Sequence, residues 1–513
     1  MLGALFTSCD MDQIPEGTTG IDDITNYTDL FELRNQVYSG LRGATAGSYI
    51  AIPDIQADQF NGSVDNGNRY GTIANKLFTS NDSDLEALFN ACYSRISHTN
   101  FFLQKADSLL EVNEAALEAG TTPKFSADEL IEIERYIGEA KFARAYAYFY
   151  LFDHWCQHYT ADKAETPALG LPLVKTFAPS KDQATYPGRS TMKATLEFIN
   201  KDLEDAFQAL DTYETTYSAD NAGPNAIYLN SFTVAAMQAR VALYTEQWQT
   251  ARDKAAYVTE TGIFPLVTTE AAYTAMWATD NASELLFVPF ASSGEQYASS
   301  VWNFYNNLQA GNSVDYAPAP EIYLSYYYQN DIRESNNVRL NAMLIQGNYV
   351  AGPRFTKWEG NNSLEGNRLN RPHPFRSAEM YLTLAEAEYM LGNTDEARAA
   401  LNDLIIARAK VKYSDTLAGE QLLTAIKSER ATELLGEGFR LSDLKRWGEG
   451  FTRNVDYSAY DNGLKNTVAF GSLMSSIGAD VKYAPNDDRY TWPIPAAEMD
   501  INPQLAGQQN PGY

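Results

Sequence analysis

Two stretches of the sequence place flat aromatic rings beside short polar side chains. In one, Tyr273, Trp277, Tyr297, Trp302, Phe304 and Tyr305 are interleaved with Asn281, Ser292, Ser293, Gln296, Asn303, Asn306 and Asn307. In the other, residues 59–70 carry Asn61, Asp65, Arg69 and Tyr70, and Phe78 and Asn81 follow. Tyr and Trp offer an apolar face on which a sugar ring can lie, while Asn and Gln offer paired donors and acceptors for vicinal hydroxyls. The two stretches together form a candidate carbohydrate platform. Its candidate contacts are Asn61, Asp65, Arg69, Tyr70, Phe78, Asn81, Trp277, Tyr297, Trp302 and Tyr305.

Bond-breaking chemistry is poorly supplied. The dipeptide Gly-Lys never occurs and no GxGxxG follows a strand-like run, which removes the usual cradles for phosphate, and no GxSxG elbow exists. Only four histidines, His98, His154, His158 and His373, are available as general bases. His154 and His158 have the spacing of a two-histidine metal site, but no HExxH accompanies them, and a solvated or hydrogen-bonded pair is the commoner outcome. The abundant carboxylates leave a glycoside hydrolase formally open, because a catalytic pair is defined by its separation in space. The expectation is a protein with no catalytic residues, no metal and no cofactor.

Charge narrows the partners. With 39 Lys and Arg against 66 Asp and Glu, the net charge of −27 repels nucleic acid and gives no basic patch for an anionic bilayer. No run of about 18 apolar residues suggests a spanning helix. Cys92 and Cys156 sit in helical patterns and read as buried small hydrophobes. Cys9 differs, since it follows an apolar lead ending in Thr7 and Ser8 and so resembles a lipobox. Acyl chains on Cys9 would contribute about 0.8 kcal/mol per buried CH₂ and tether the domain without a transmembrane helix. Residues 1–9 then read as the remnant of a lipoprotein signal, and the turn-rich, acidic residues 10–26 as a solvated tether.

The elements that must position the platform are helical. Ser83 with Glu86, and Ser126 with Glu129, have the spacing of capping boxes that open two helices, the second carrying an alanine stripe at Ala140, Ala143 and Ala147. Ala239, Leu243, Ala251, Ala255 and Val258 recur at a constant offset of 146 as Ala385, Tyr389, Ala397, Leu401 and Leu404, with a turn in the middle of each copy. That is the packing pattern of tetratricopeptide-like helical hairpins. Hairpins near 83–158, 190–261 and 375–410 predict a mainly α scaffold with long loop-rich insertions and a few short strands. The 27–513 body reads as a single domain, with scaffold at about 27–262 and 371–450 and a loop-rich ligand-binding part at about 263–370. Only Leu285 to Phe290 looks β-like there.

Near the C-terminus, Glu429-Arg430 and the run from Glu433 through Phe439-Arg440 to Trp447-Gly448 resemble the signature of the SusD/RagB family of nutrient-binding lipoproteins. So do Tyr490 to Pro495, Glu498, Asn502-Pro503 and the terminal Asn510 to Tyr513, as well as Gly138 to Ala145 and Arg376 to Leu382. These motifs also read as scaffold in their own right, with Gly436 and Gly438 ending a helix at positive φ. The resemblance implies a surface receptor on the outer membrane of Bacteroidetes-type bacteria, lipid-anchored at the position of Cys9, that lids a SusC-like TonB-dependent transporter and presents glycans to it. Some relatives serve peptide uptake instead. Ligand loops are the divergent part of the family, so the resemblance assigns no binding residue.

Overall fold

The computed structural model describes residues 24–217, 222–292, 301–307, 313–326, 330–364, 368–464, 466–474 and 477–513. Cys9, most of the 10–26 stretch, Ser293, Gln296 and Tyr297 lie outside these residues.

The scaffold is built from α1 (Tyr27–Ala44), α2 (Ser48–Gln56), α3 (Ser83–Glu118), α4 (Ala127–Trp155), α5 (Met192–Tyr217), α6 (Ser231–Tyr244) and α7 (Trp248–Thr259). It continues after the insertion with α8 (Ser377–Met390), α9 (Thr394–Ala409), α10 (Gly419–Glu433) and α11 (Arg440–Arg446). Each helix of the series α3 to α7 packs on the next, and α7 packs on α8, so the two copies of the repeat stack directly. Ala239, Leu243, Ala251, Ala255 and Val258 are buried, as are Ala385, Ala397, Leu401 and Leu404. This is the mainly α, tetratricopeptide-like fold that the spacing predicts.

Local chemistry explains the helix boundaries. Ser126 and Glu129 close the expected capping box on α4. On α3 the cap moves one residue, because the Asp82 carboxylate accepts from the Asp84 and Leu85 amides at 3.2 Å each. A carboxylate in this place also meets the positive end of the helix dipole, an advantage the Ser83 hydroxyl lacks. Ala140, Ala143 and Ala147 are buried, and a Cβ on Gly138 would lie 2.7 Å from that of Ala209, so small residues let α4 and α5 approach closely.

Short strand pairs tie the insertion to the scaffold. They are β1 (Phe60–Gly62), β2 (Leu285–Phe287), β3 (Tyr316–Pro318), β4 (Val338–Ile345), β5 (Asn348–Phe355) and β6 (Phe375–Arg376). All pair antiparallel: β1 with β3, β2 with β6, and β4 with β5. The β4–β5 hairpin turns at Gln346 and Gly347, whose φ values of 47° and 74° make a type I′ turn suited to the twist of the strands. The sequence reading has a loop here. Val338 to Ala342 alternates, but Ala342 to Ile345 then run apolar without a break and Gly352-Pro353 interrupts the second strand.

The C-terminal signature lies at a buried ionic junction. Glu433 accepts from Arg333 at 2.9 Å, Arg376 at 2.5 Å and Arg408 at 2.9 Å. Glu284 binds Arg376 and Arg408, Glu437 binds Arg376 and Lys357 at 2.6 Å each, and Arg333 also pairs with Asp331 and Glu429. Burial alone would raise the Glu433 carboxyl, but Arg408, Arg376 and Arg333 outweigh it and hold the group well below the ordinary carboxylate range. Gly436 (φ 71°) packs where a Cβ would lie 2.1 Å from the Phe355 ring, which makes glycine obligatory beside this junction.

Candidate ligand-binding site

Half of the aromatic platform is interior. Trp277 is 3% exposed, edge-on to Trp358 at 4.7 Å, with the Lys357 ammonium 4.6 Å from its ring. Trp302 is 1% exposed, with the guanidiniums of Arg354 and Arg368 each 5.1 Å from its ring centroid. Tyr305 is buried against Phe60 and Phe355, at 4.4 and 4.8 Å. Phe78 is buried under Tyr513, and Asn61 spends its amide nitrogen on the Asn454 carbonyl and the Tyr457 hydroxyl. These five side chains present no face to a sugar. The reason is energetic: the insertion has few long helices to pack, and its large rings supply a second apolar core of their own.

What remains of the predicted set comes together. Pairing of β1 with β3 brings residues 63–70 against residues 303–307 and 313–316, fixed by the Ser63 hydroxyl on the Val314 carbonyl at 2.6 Å and the Ser63 amide on the Asp315 carbonyl at 2.9 Å. The chain then turns through Gly67, Asn68 and Tyr70, all at positive φ. Half-buried Tyr70 is thereby stacked on Phe304, with ring centroids 5.8 Å apart and planes inclined by 17°. The Arg69 guanidinium stands 4.9 Å over Phe304 and donates to the Asn303 carbonyl at 2.6 Å and to Asp315 at 3.3 Å. Asp65 accepts from the Gln346 amide at 2.6 Å, which docks the tip of the β4–β5 hairpin onto the same loop. Asn81 is exposed at the neighbouring end of α3.

Electrostatics link these groups. Burial raises the Tyr70 hydroxyl, opposed by Arg69. Burial also raises Asp315, opposed by Arg69 and reinforced by Asp65. Asp84 is raised by burial and by Asp82 and lowered by Arg69, so the start of α3 belongs to the same field. The arrangement can bind by stacking and hydrogen bonding. Among the described residues no group of three or more His, Cys, Asp or Glu side chains could hold a metal ion.

One surface residue escapes the sequence reading. Tyr349 is 79% exposed, the most exposed aromatic side chain among the described residues, and stands on the strand that leaves the hairpin turn above Asp65. Strand parity marks it, because Val350 is buried and successive side chains point to opposite faces. His154 is buried between Tyr150 and Trp492, and its Nδ1 faces the Tyr150 carbonyl at 3.0 Å. His158 lies 3.6 Å from Glu246. An internal cavity of about 80 Å³ beside His154 has room for a few waters only. No described helix is long and apolar enough to cross a membrane.

Known proteins frame this geometry. The SusD family model matches residues 297–513, and a second model, described as starch-binding and associating with the outer membrane, matches residues 29–243. A SusD-like protein of Formosa agariphila is 25% identical over 219 residues, 40% of this chain and 37% of that protein's own length. A SusD superfamily protein from Bacteroides thetaiotaomicron superposes with a TM-score of 0.72 at 24% identity, covering 95% of this chain and 100% of the other. A SusD-like carbohydrate binding protein from Bacteroides vulgatus gives a TM-score of 0.75 at 19% identity, over 94% and 98% of the two chains. A surface glycan-binding protein A from Bacteroides fluxus gives 0.66 at 18%, over 95% and 100%. Two family models, one over residues 29–243 and one over residues 297–513, on a shared fold, place this protein in the SusD/RagB family.

Proposed function

We propose that the chain is a glycan-binding lipoprotein of the outer-membrane surface, anchored through Cys9, that captures oligo- or polysaccharide and passes it to a SusC-like TonB-dependent transporter without breaking a bond. The observation that carries the reading is the Tyr70–Phe304 stack with Arg69 across it, set among asparagine and aspartate side chains at the edge of the insertion. Support comes also from relatives named for starch, carbohydrate or surface-glycan binding. Here the site comprises Asp65, Arg69, Tyr70 and Asn81, extended by Tyr349.

Capture would proceed by laying a sugar ring on Tyr70 or Tyr349 while hydroxyls bond the neighbouring carboxylates and amides. A glycan array followed by calorimetry tests it. Tyr70→Ala is expected to weaken binding by about 10-fold, or about 1.4 kcal/mol, with the fold unchanged by circular dichroism. The absence of binding to any glycan on the array would remove the reading.

A further inference from the structure

Resting on the glycan reading above, we propose that this surface selects uncharged glycans and turns away those bearing uronate or sulfate groups. The ground for this is the balance of charge around the stacked rings. Arg69 supplies the cation, and its Nη1 is already committed to Asp315 and to the Asn303 carbonyl. Asp65 acts on Asp315 from the hairpin side, and Asp82 and Asp84 act from the start of α3. Asp315 and Asp84 therefore share one guanidinium, and Asp65 and Asp82 add negative charge beside them.

The two segments that carry the stack offer few further cations, and Arg354, which stands over the neighbouring Trp302 as does Arg368, is buried and donates to Asn306 and to the Ser313 carbonyl. Residues 59–84 contain only Arg69 and Lys76 as bases, and Lys76 is bound to Asp487 at 2.5 Å. Residues 281–338 contain Arg333 alone, which is buried in the ionic junction with Asp331, Glu429 and Glu433. The net charge of −27 adds a field of the same sign. A carboxylate or sulfate on a sugar would meet like charge at short range. A neutral glycan escapes that repulsion, and its hydroxyls can donate to the same aspartates in charge-assisted hydrogen bonds.

The test pairs neutral polysaccharides with their own carboxymethylated and sulfated derivatives and measures binding to the full chain at two salt concentrations. At about 0.01 M, where the screening length is about 30 Å, each charged derivative is expected to bind at least about 10-fold more weakly than its neutral parent. At about 1 M, where screening falls to about 3 Å, the gap should narrow. Asp65→Asn, which keeps an acceptor for the Gln346 amide, and Asn81→Lys, at an exposed position, should each narrow the low-salt gap by strengthening binding of the charged derivative. Equal or tighter binding of the charged derivatives at low salt overturns the selection while leaving glycan capture standing. Binding of no glycan, neutral or charged, overturns both.

Discussion

Two buried residues make the separation of stability from binding testable. Trp302 carries a large ring packed beside two guanidiniums, so Trp302→Ala is expected to cost about 3–5 kcal/mol in urea unfolding, with little change in the glycan affinity of the folded fraction. Asp54 on α2 accepts from the Gly438 amide at 2.9 Å, and burial pushes its carboxyl up to about 7. The folded state thus favours the neutral form. Its contribution to stability is complete below the ordinary value of 3.8, is lost as pH rises from there to about 7, and is constant above. Asp54→Asn keeps the acceptor and cannot ionise. The variant should gain on the natural protein by up to about 1.4 kcal/mol per pH unit across that window, measured as the difference between urea midpoints at pH 4 and pH 8. At this scale the site was only partly legible. Gly67 and Asn68 announced the turn that presents Arg69 and Tyr70. Tyr273, Met276 and Trp277 stand at i, i+3 and i+4, the spacing of a buried helix face, and that signal outranks the richness in aromatic residues that made Trp277 look like a platform. Trp302 and Tyr305 lie in a single helical turn, too short for a period that would say which way a ring points.

At the level of elements, the helices could be read and the insertion could not. An offset of 146 between two helix pairs, small residues at close crossings and the Ser126 cap are local or periodic features, and each survives in the structure. The β4–β5 hairpin depends on a two-residue turn and on pairing across strands, and the apolar run Ala342 to Ile345 and the Gly352-Pro353 break hide both. The ionic junction was invisible for a stronger reason. Its members come from residues 284, 331, 333, 357, 376, 408 and 429–437, and no local pattern announces a partner so far along the chain. Removing one member leaves the others buried without compensation. Glu433→Gln is expected to cost about 3–5 kcal/mol of stability by chemical denaturation, far beyond the loss from an exposed ion pair such as Lys412–Asp415.

For the molecule as a whole, the proposed attachment rests on one residue. If the tether is a lipid on Cys9, Cys9→Ser should move the chain from the detergent phase to the aqueous phase in a detergent-partition experiment, with glycan binding unaltered, since the site lies on the folded body. With such a tether, the charge of −27 would keep the body off an anionic surface while the lipid held it near. The buried junction, finally, sets a timetable. Arg333, Arg376 and Arg408 are synthesised before Glu429, Glu433 and Glu437, so until the last fifth of the chain is made only Asp331 and Glu284 of the junction's carboxylates are there to offset them. The junction is complete only when that segment arrives, so the ties between the insertion and the scaffold are finished by the C-terminal part of the chain.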